Sequence, residues 1–272
     1  MIHYVCVATE SKLYFPYLKQ LLPNLVVLGM GMKWTGYMMK YQLIVEYLRS
    51  LKNNDIICFV DAYDVLPTKN IVNLETQFIE FSKNHPKVKI IVGGGIITNP
   101  IHKICNDLIF ENNELNSGTY IGYAKDILYV LTNIINNPNI TSITNDQYEL
   151  IKYSQQNLND IFIDNNNDFF CVISTPLQQV MLNGNNKCSF IHANSNGCLE
   201  YFLEEHHNIK CSTDVKIGNY IVHLKTIFSK IQEYITHFFQ INIQGTKIIN
   251  NDVFKILNTF LHSKFQPIVV IN

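Results

Sequence analysis

The chain has 272 residues, of which 47% are apolar, and its 21 basic and 22 acidic side chains leave a formal charge of −1. A chain this apolar and this nearly neutral can bury a full-sized core, so its composition excludes intrinsic disorder. The balanced charge also argues against an extended nucleic-acid-binding surface, which needs a basic excess on one face.

The first third of the chain alternates short β-rich runs with longer segments of helical periodicity. This alternation is typical of a mostly parallel α/β sheet. Strands are predicted at 2–8, 24–28, 56–60 and 88–92, and helices at 11–22, 38–51 and 71–83. The wholly apolar strand 56–60 is expected at the centre of the sheet, where both faces are covered. The strand 88–92 is predicted to break at Gly93.

The same alternation continues beyond residue 115 and then gives way to helical periodicity. Strands are predicted at 119–124, 161–164, 169–174 and 189–192, and helices at 126–135 and 146–154. In the tail, apolar residues at 227, 231, 234, 235 and 238 lie on one helical stripe, and 252–262 forms a second apolar segment. We therefore predict one α/β domain over residues 1–200 and a mainly helical extension over 201–272 that packs on it.

No apolar run approaches the roughly 20 residues that cross a bilayer, and Met1–Val7 lacks the features of a secretory signal. The sequence therefore predicts a soluble, intracellular protein without a membrane span. None of the seven cysteines lies in a C-x-x-C pair, so we expect buried free thiols rather than a disulfide framework or a zinc site. Abundant Asn, Ile and Lys with a single arginine, Arg49, indicates an AT-rich genome.

Two carboxylates follow the predicted central strand in the segment Phe59-Val60-Asp61-Ala62-Tyr63-Asp64-Val65. Open α/β sheets bind ligands at the carboxyl ends of their strands, and two oxygen ligands at such a turn suit Mg²⁺ or Mn²⁺. A metal ion there would bridge to a diphosphate. Asp61 and Asp64 would serve equally well as caps of the following turn and helix, so the pair alone leaves both interpretations open.

Two further polar segments allow both a functional and a structural interpretation. Asn116-Ser117-Gly118 is predicted to form a turn, either a plain tight turn or one that brings the backbone close to a ligand. Thr144 and Gln147 have the spacing of a capping box, with Thr144 as the N-cap. That box leaves Asp146 unexplained. A carboxylate at a helix N-terminus could take a proton from a hydroxyl or stabilise a developing oxocarbenium ion.

His192 ends a predicted strand and is followed by the small polar turn Ala193–Gly197. A histidine in this position could be a third metal ligand, with the turn lying against a phosphate. A structural histidine would produce the same pattern, so this segment does not decide between the two by itself.

In order, the segments F-V-D-A-Y-D-V, L-N-S-G-T-Y-I-G-Y-A, D-Q and H-A-N resemble the glycosyltransferase domain of the procollagen lysyl hydroxylases and related collagen glycosyltransferases. The resemblance covers residues 1–200, and its most specific parts are Asp61–Val65 and Leu115–Ala124. It implies an α/β nucleotide-sugar fold of the GT-A type, in which a Rossmann-like, mostly parallel central sheet is flanked by helices.

The resemblance also implies the ligands and the residues that bind them. The donor would be a UDP-sugar held through Mn²⁺, with Mg²⁺ as the second choice, and the metal ligands would be Asp61, Asp64 and His192. The donor-binding residues would be Val7, Thr9, Trp34, Lys40, Tyr63, Asn194 and Gly197. Within that set, Tyr63 would stack on uracil and Lys40 would lie near the phosphates.

The same resemblance implies the reaction. Asn116 would face the donor sugar, while Asp146 and Gln147 would lie at the reaction centre. A hexose, glucose or galactose, would pass from UDP-glucose or UDP-galactose to a hydroxyl acceptor, expected to be hydroxylysine or galactosyl-hydroxylysine of a collagen-like protein. No H-x-D or H-x-E sequence occurs in the chain, so the iron site of the family's hydroxylase module is not expected.

The chain departs from the family on the acceptor and phosphate sides. Asn145 stands where the family has an acidic residue, and the segment 93–100 lacks the family's aromatic pair. The stretch between Trp34 and Lys40 is shortened, and no lysine follows the turn that begins at His192. These departures support an alternative hypothesis, a catalytically inactive nucleotide-sugar-fold module for binding or assembly. A dehydrogenase is a third hypothesis, and the absence of G-x-G-x-x-G spacing among the glycines argues against it.

Overall fold

The computed structural model describes residues 1–94, 115–173, 187–193 and 199–211, all of them within one compact unit, Met1–Thr226. Within these ranges the chain forms a six-stranded central sheet of order β2-β1-β3-β6-β5-β7 and a three-stranded second sheet of order β4-β9-β8. The strands are β1 (Ile2–Val7), β2 (Val26–Leu28), β3 (Ile56–Val60), β4 (Val65–Pro67), β5 (Ile90–Gly94), β6 (Leu115–Tyr123), β7 (Ile161–Asp164), β8 (Phe170–Ile173) and β9 (Phe190–Ala193). The helices are α1 (Phe15–Leu21), α2 (Met38–Leu48), α3 (Leu74–Asn84), α4 (Ala124–Ile135), α5 (Asp146–Gln156) and α6 (Glu200–His207), and a 3₁₀ helix, Lys69–Asn73, precedes α3.

The central sheet is mixed, and its strand directions place several strand ends on one edge. β1 runs parallel to β2 and β3, and β5 runs parallel to β7, whereas β6 is antiparallel to both β3 and β5. The strands β1, β3 and β5 therefore end on the edge of the sheet where β6 begins. This edge is called the carboxyl edge below.

Both faces of the central sheet are covered. On one face, α2, α4 and α5 pack through residues such as Ile44, Ile127 and Leu150. On the other face lie α1, α3 and the second sheet. All five residues of β3 are buried, as predicted for a central strand, and each fully buried large apolar side chain contributes about 1.5–3 kcal/mol. The predicted α/β sheet flanked by helices is confirmed.

Two predictions about strand ends are wrong. Asn116–Gly118 does not form a turn but belongs to β6, and β5 does not break at Gly93 but continues through Gly94. The strands remain paired because the glycine permits close approach: a Cβ on Gly93 would lie 2.5 Å from Thr119 Oγ1. Glycine in a strand marks such approaches as well as strand ends.

The observed helix boundaries also differ from those that the apolar periodicity predicts. The helix predicted from residue 11 begins only at Phe15, because Leu13 has a left-handed φ of 51°. The helix predicted from residue 71 is preceded by the 3₁₀ turn, whose N-cap Thr68 accepts a hydrogen bond from the N–H of Asn70. The sequence predicted neither β4 nor α6, which have three and eight residues.

The remaining global predictions concern the cysteines, the membrane and the tail. Cys6, Cys58, Cys171 and Cys188 are buried free thiols, as expected, and burial raises the pKa of Cys6 to about 12. Among the residues that the structure describes, no helix has both the length and the apolar character that a bilayer span requires. The extension predicted over 201–272 lies almost entirely outside the described residues and stays a prediction.

A buried carboxylate, Asp164, closes the turn between β7 and β8. It accepts hydrogen bonds of 2.7–2.9 Å from the N–H groups of Asp168, Phe169 and Phe170. We expect Asp164→Ala to lower the free energy of unfolding by about 3 kcal/mol, because these N–H groups lose their acceptor. Chemical denaturation measures this loss. Asp168→Ala, which keeps the backbone donor in the same turn, is the control, and an equal loss in both variants would contradict the prediction.

Candidate functional site

Three potential metal ligands meet at the carboxyl edge. Asp61 directly follows β3, Asp64 directly precedes β4, and His192 lies in β9 opposite Val65. One ligand atom from each of Asp61, Asp64 and His192 lies within 4.8 Å of the other two. His192 Nε2 is 3.3 Å from Asp64 Oδ2. The pairing of β4 with β9 therefore brings together residues that are 128 positions apart, from 64 to 192.

These three residues, the Asp-Asp-His cluster, fit a divalent cation. His192 is buried, and its Nδ1 has no hydrogen-bond partner among the described residues, whereas both aspartates are partly exposed. Burial acts to lower the pKa of His192, but the carboxylates of Asp64 and Asp61 together outweigh burial and raise it. Carboxylates suit Mg²⁺ and Mn²⁺, and an imidazole nitrogen favours a transition metal. The alternative capping interpretation is wrong for the following helical turn, because its N-cap is Thr68.

Gly118 in β6 is packed against the Asp-Asp-His cluster. A Cβ at this position would lie 2.2 Å from His192 Cε1 and 2.8 Å from Asp61 Oδ2. The carbonyl oxygen of Gly118 accepts the N–H of Asp61 at 2.7 Å, and the N–H of Gly118 donates to Asn116 Oδ1 at 2.8 Å. Gly118 therefore lies close to two candidate metal-ligand side chains, and it does so in a strand and not in a turn. The approach of this backbone to a bound ligand stays a prediction.

A partly buried ammonium group, that of Lys40, links the cluster to Asp146, the first residue of α5. Lys40 Nζ lies 2.6 Å from Asp146 Oδ2 and 3.2 Å from Asp61 Oδ1. Burial acts to lower the pKa of Lys40, but the carboxylates of Asp61 and Asp146 outweigh it and raise the pKa above its usual value. Lys40 therefore stays charged, and it contacts two carboxylates that are separated by 85 positions, from 61 to 146.

The capping-box prediction for α5 is wrong. The N-cap is Asn145, whose Oδ1 accepts the N–H of Tyr148 at 3.1 Å. Thr144 Oγ1 instead accepts the N–H of Thr141 at 2.9 Å. Asparagine and threonine both cap helices well, so the spacing to Gln147 did not decide the first residue of the helix. The amide at position 145 therefore has a structural role of its own.

Comparison with known proteins agrees with this geometry. Residues 2–231 match the family described as the PLOD GT domain. The chain belongs to this glycosyltransferase family. The match confirms the family that the sequence motifs indicated, although no curated protein matches the chain.

Two solved structures are similar to this PLOD-type glycosyltransferase. One, described as a glycosyltransferase involved in the glycosylation of the major capsid of PBCV-1, has a TM-score of 0.50 and 12% sequence identity, and the match covers 70% of this chain and 92% of that chain. It supports the predicted nucleotide-sugar fold class. The other, a protein from STIV, has a TM-score of 0.36 and 12% identity over 56% of this chain and 78% of that chain. The second likeness is too weak to carry an argument.

The predicted uridine-binding residues of this glycosyltransferase lie where β1 ends. The hydroxyl of Tyr63 accepts the N–H of Thr9 at 3.1 Å and donates to the carbonyl oxygen of Glu10 at 3.2 Å. Lys12 Nζ lies 4.9 Å from the centroid of the Tyr63 ring, and Val7 is buried at the end of β1. The structure thus brings three of the predicted residues together at the carboxyl edge.

Other predicted residues of the glycosyltransferase are less closely grouped. Trp34 is 42% exposed and meets Tyr37 edge to face, with ring centroids 6.3 Å apart. Gln147, the second residue of α5, is half-buried. Asn194 and Gly197, predicted to lie against the phosphates, are outside the described residues.

Two further residues contact Asp146, and the sequence analysis assigned no role to either. Ser117 Oγ donates to Asp146 Oδ2 at 3.2 Å, and the hydroxyl of Tyr41 donates to the carbonyl oxygen of Asp146 at 3.0 Å. Ser117 directly precedes Gly118 in the segment that the sequence singled out. A polar side chain beside that glycine was a signal by which Ser117 could have been found. Tyr41 carried no signal, because a tyrosine on an apolar helix face usually belongs to the core.

Proposed function

We propose that this glycosyltransferase transfers a hexose, glucose or galactose, from UDP-glucose or UDP-galactose to a hydroxyl group, with Mn²⁺ as its metal and Mg²⁺ as the second choice. The observation that carries the proposal is the Asp-Asp-His cluster beside Asp146 at the carboxyl edge. Family membership supports the reaction class, and the donor set of the cluster supports the metal.

In this proposal, Asp61, Asp64 and His192 hold the cation, which supplies Lewis-acid neutralisation of the leaving diphosphate. The chain offers no arginine clamp in its place. Arg49 is the only arginine, and it lies at the opposite end of α2 from Lys40, about 13 Å along the helix axis. We therefore expect a strict requirement for metal.

The chain's own residues are assigned the following roles. Val7, Thr9 and Tyr63 bind the uridine, and the hydrogen bonds of the Tyr63 hydroxyl with the backbone of Thr9 and Glu10 hold its ring against the end of β1. Asn116 faces the donor sugar. Asp146, with Gln147 beside it, accepts the proton of the acceptor hydroxyl or stabilises positive charge that develops on the sugar.

The proposed acceptor is hydroxylysine or galactosyl-hydroxylysine in a collagen-like protein, on the basis of family membership alone. The test is UDP release with a panel of UDP-sugars and Mn²⁺, with and without peptides that carry either acceptor. We expect release to depend on one hexose donor, on one peptide and on Mn²⁺, and to stop when EDTA is added. UDP and Mn²⁺ binding without release from any donor would instead indicate the inactive module.

The tight packing at Gly118 gives a test of the metal site. We expect Gly118→Ala to weaken Mn²⁺ binding at least about tenfold, because the added Cβ must displace His192 or Asp61. Electron paramagnetic resonance of free Mn²⁺ measures the affinity. Gly94→Ala is the matched control, since its Cβ would be equally crowded, 2.3 Å from Asn165 Oδ1, but its nearest atoms belong to Asn165 and Asp164 and not to the cluster. Unchanged affinity in Gly118→Ala would contradict the proposed ligand set.

A further inference from the structure

The strand β6 is irregular where it passes the site. In its pairing with β5, Val92 lies opposite Tyr120 and Gly93 lies opposite Asn116, so residues 117–119 bulge out of this ladder. The pairing with β3 reaches as far as Thr119. A bulge re-aims the side chains that it contains, and bulges often occur beside active sites.

Neighbouring residues of this bulge face the two halves of the site. Gly118 packs against His192 and Asp61, as described above. Ser117, which is 5% exposed, donates its hydroxyl to Asp146. A single short backbone segment therefore contacts both the Asp-Asp-His cluster and the carboxylate at the start of α5.

The two described donors to the Asp146 side chain reach the same oxygen. Ser117 Oγ lies 3.2 Å and Lys40 Nζ 2.6 Å from Asp146 Oδ2. The described residues place no donor on Asp146 Oδ1. Asp61 shows the same division, since its Oδ1 meets Lys40 while its Oδ2 lies on the side of Gly118. In each carboxylate one oxygen contacts Lys40, and the described residues place no hydrogen-bond donor on the other oxygen.

We propose that Ser117 is a positioning residue for hexose transfer, which with Lys40 holds Asp146 by Oδ2 so that Oδ1 is directed at the reacting groups. The inference rests on the proposed function of Asp146. Two donors are needed because the terminal torsion of an aspartate is broad, and one flexible lysine leaves the carboxylate free to rotate. The bulge places the serine, so it also sets the separation between Asp146 and the metal ligands.

The test is the steady-state kinetics of Ser117→Ala. We expect kcat to fall about tenfold to a hundredfold, the range expected for a lost hydrogen bond to a charged group, with the donor KM and the Mn²⁺ affinity within about twofold of the original chain. Ser117→Thr, which keeps the hydroxyl, should recover most of kcat. Thr119→Val is the matched control, since it removes a buried hydroxyl of the same bulge that has no partner among the described residues.

The outcomes separate this proposal from the proposed function. Unchanged kcat in Ser117→Ala, or an equal fall in Thr119→Val, would overturn the positioning role, and so would a parallel loss of Mn²⁺ and UDP binding. If the original chain transfers no hexose at all, the proposed function fails. A crystal structure of Ser117→Ala still tests the positioning role in that case, since the Asp146 carboxylate should then turn about its terminal torsion while it keeps its contact with Lys40, and an unmoved carboxylate would overturn the proposal.

Discussion

Asp64→Asn is expected to lower Mn²⁺-dependent UDP release by about a hundredfold or more and to weaken Mn²⁺ binding in parallel. The substitution keeps the size of the side chain but removes one of the two negative charges in the Asp-Asp-His cluster. Asp64 is the cleaner choice of the two aspartates. It contacts His192 within the cluster, whereas Asp61 also pairs with Lys40, so that a change there would disturb Asp146 as well.

Two measurements show whether the loss arises at the metal. The Mn²⁺ concentration for half-maximal activity should rise in Asp64→Asn, and high Mn²⁺ should restore part of the rate. Glu46→Gln is the control, because Glu46 is an exposed carboxylate on α2 outside the cluster and should leave both quantities unchanged. Full activity of Asp64→Asn at low Mn²⁺ would rule out Asp64 as a ligand.

The second large effect is expected from Asp146→Asn. We expect kcat to fall about 10²-fold to 10⁴-fold while UDP and Mn²⁺ binding persist, because a neutral amide cannot accept a proton or stabilise positive charge on the sugar. Lys40 keeps its contact with Asp61, so the cluster should remain assembled. Initial rates at saturating donor and calorimetric titration of UDP with Mn²⁺ measure the two quantities.

The residue before Asp146 provides the matched control. Asn145→Ala removes the N-cap of α5 and should cost about 1 kcal/mol of stability with little change in kcat. If Asn145→Ala lost as much activity as Asp146→Asn, the position of the helix rather than the Asp146 carboxylate would account for both. An unchanged kcat in Asp146→Asn would show that the Asp146 carboxylate takes no part in the reaction.

Local sequence patterns predicted an element well where its composition and its length both indicated the same kind of secondary structure. The strand Ile56–Val60 was predicted with its observed bounds, because an uninterrupted apolar run between polar segments has few alternatives. The same reasoning failed at Asn116–Gly118, whose polar and glycine-rich composition is typical of a turn. There the pairing with strands β3 and β5 decides the conformation, and the local composition does not indicate which strands will pair with this segment.

The start of α5 shows the same limit at the level of one residue. Thr144 and Asn145 are both good N-caps, and the sequence favoured the first because of its spacing to Gln147. In the structure, Tyr41 and Lys40 from α2 hold Asp146 at the first helical position, and Asn145 becomes the cap. The local preference for Thr144 over Asn145 as the N-cap is small. A contact between residues 105 positions apart, Tyr41 and Asp146, is enough to outweigh it.

By itself the sequence determined the family and the α/β class, and it singled out Asp61, Asp64, Asp146 and His192 as candidate site residues, because motifs and periodicity are local. Only the tertiary structure decided which of them meet. The Lys40 bridge, the β4–β9 pairing and the bulge that presents Ser117 depend on strand order and register. Those are properties of long-range packing, where one residue of register separates a side chain in the site from one on the opposite face.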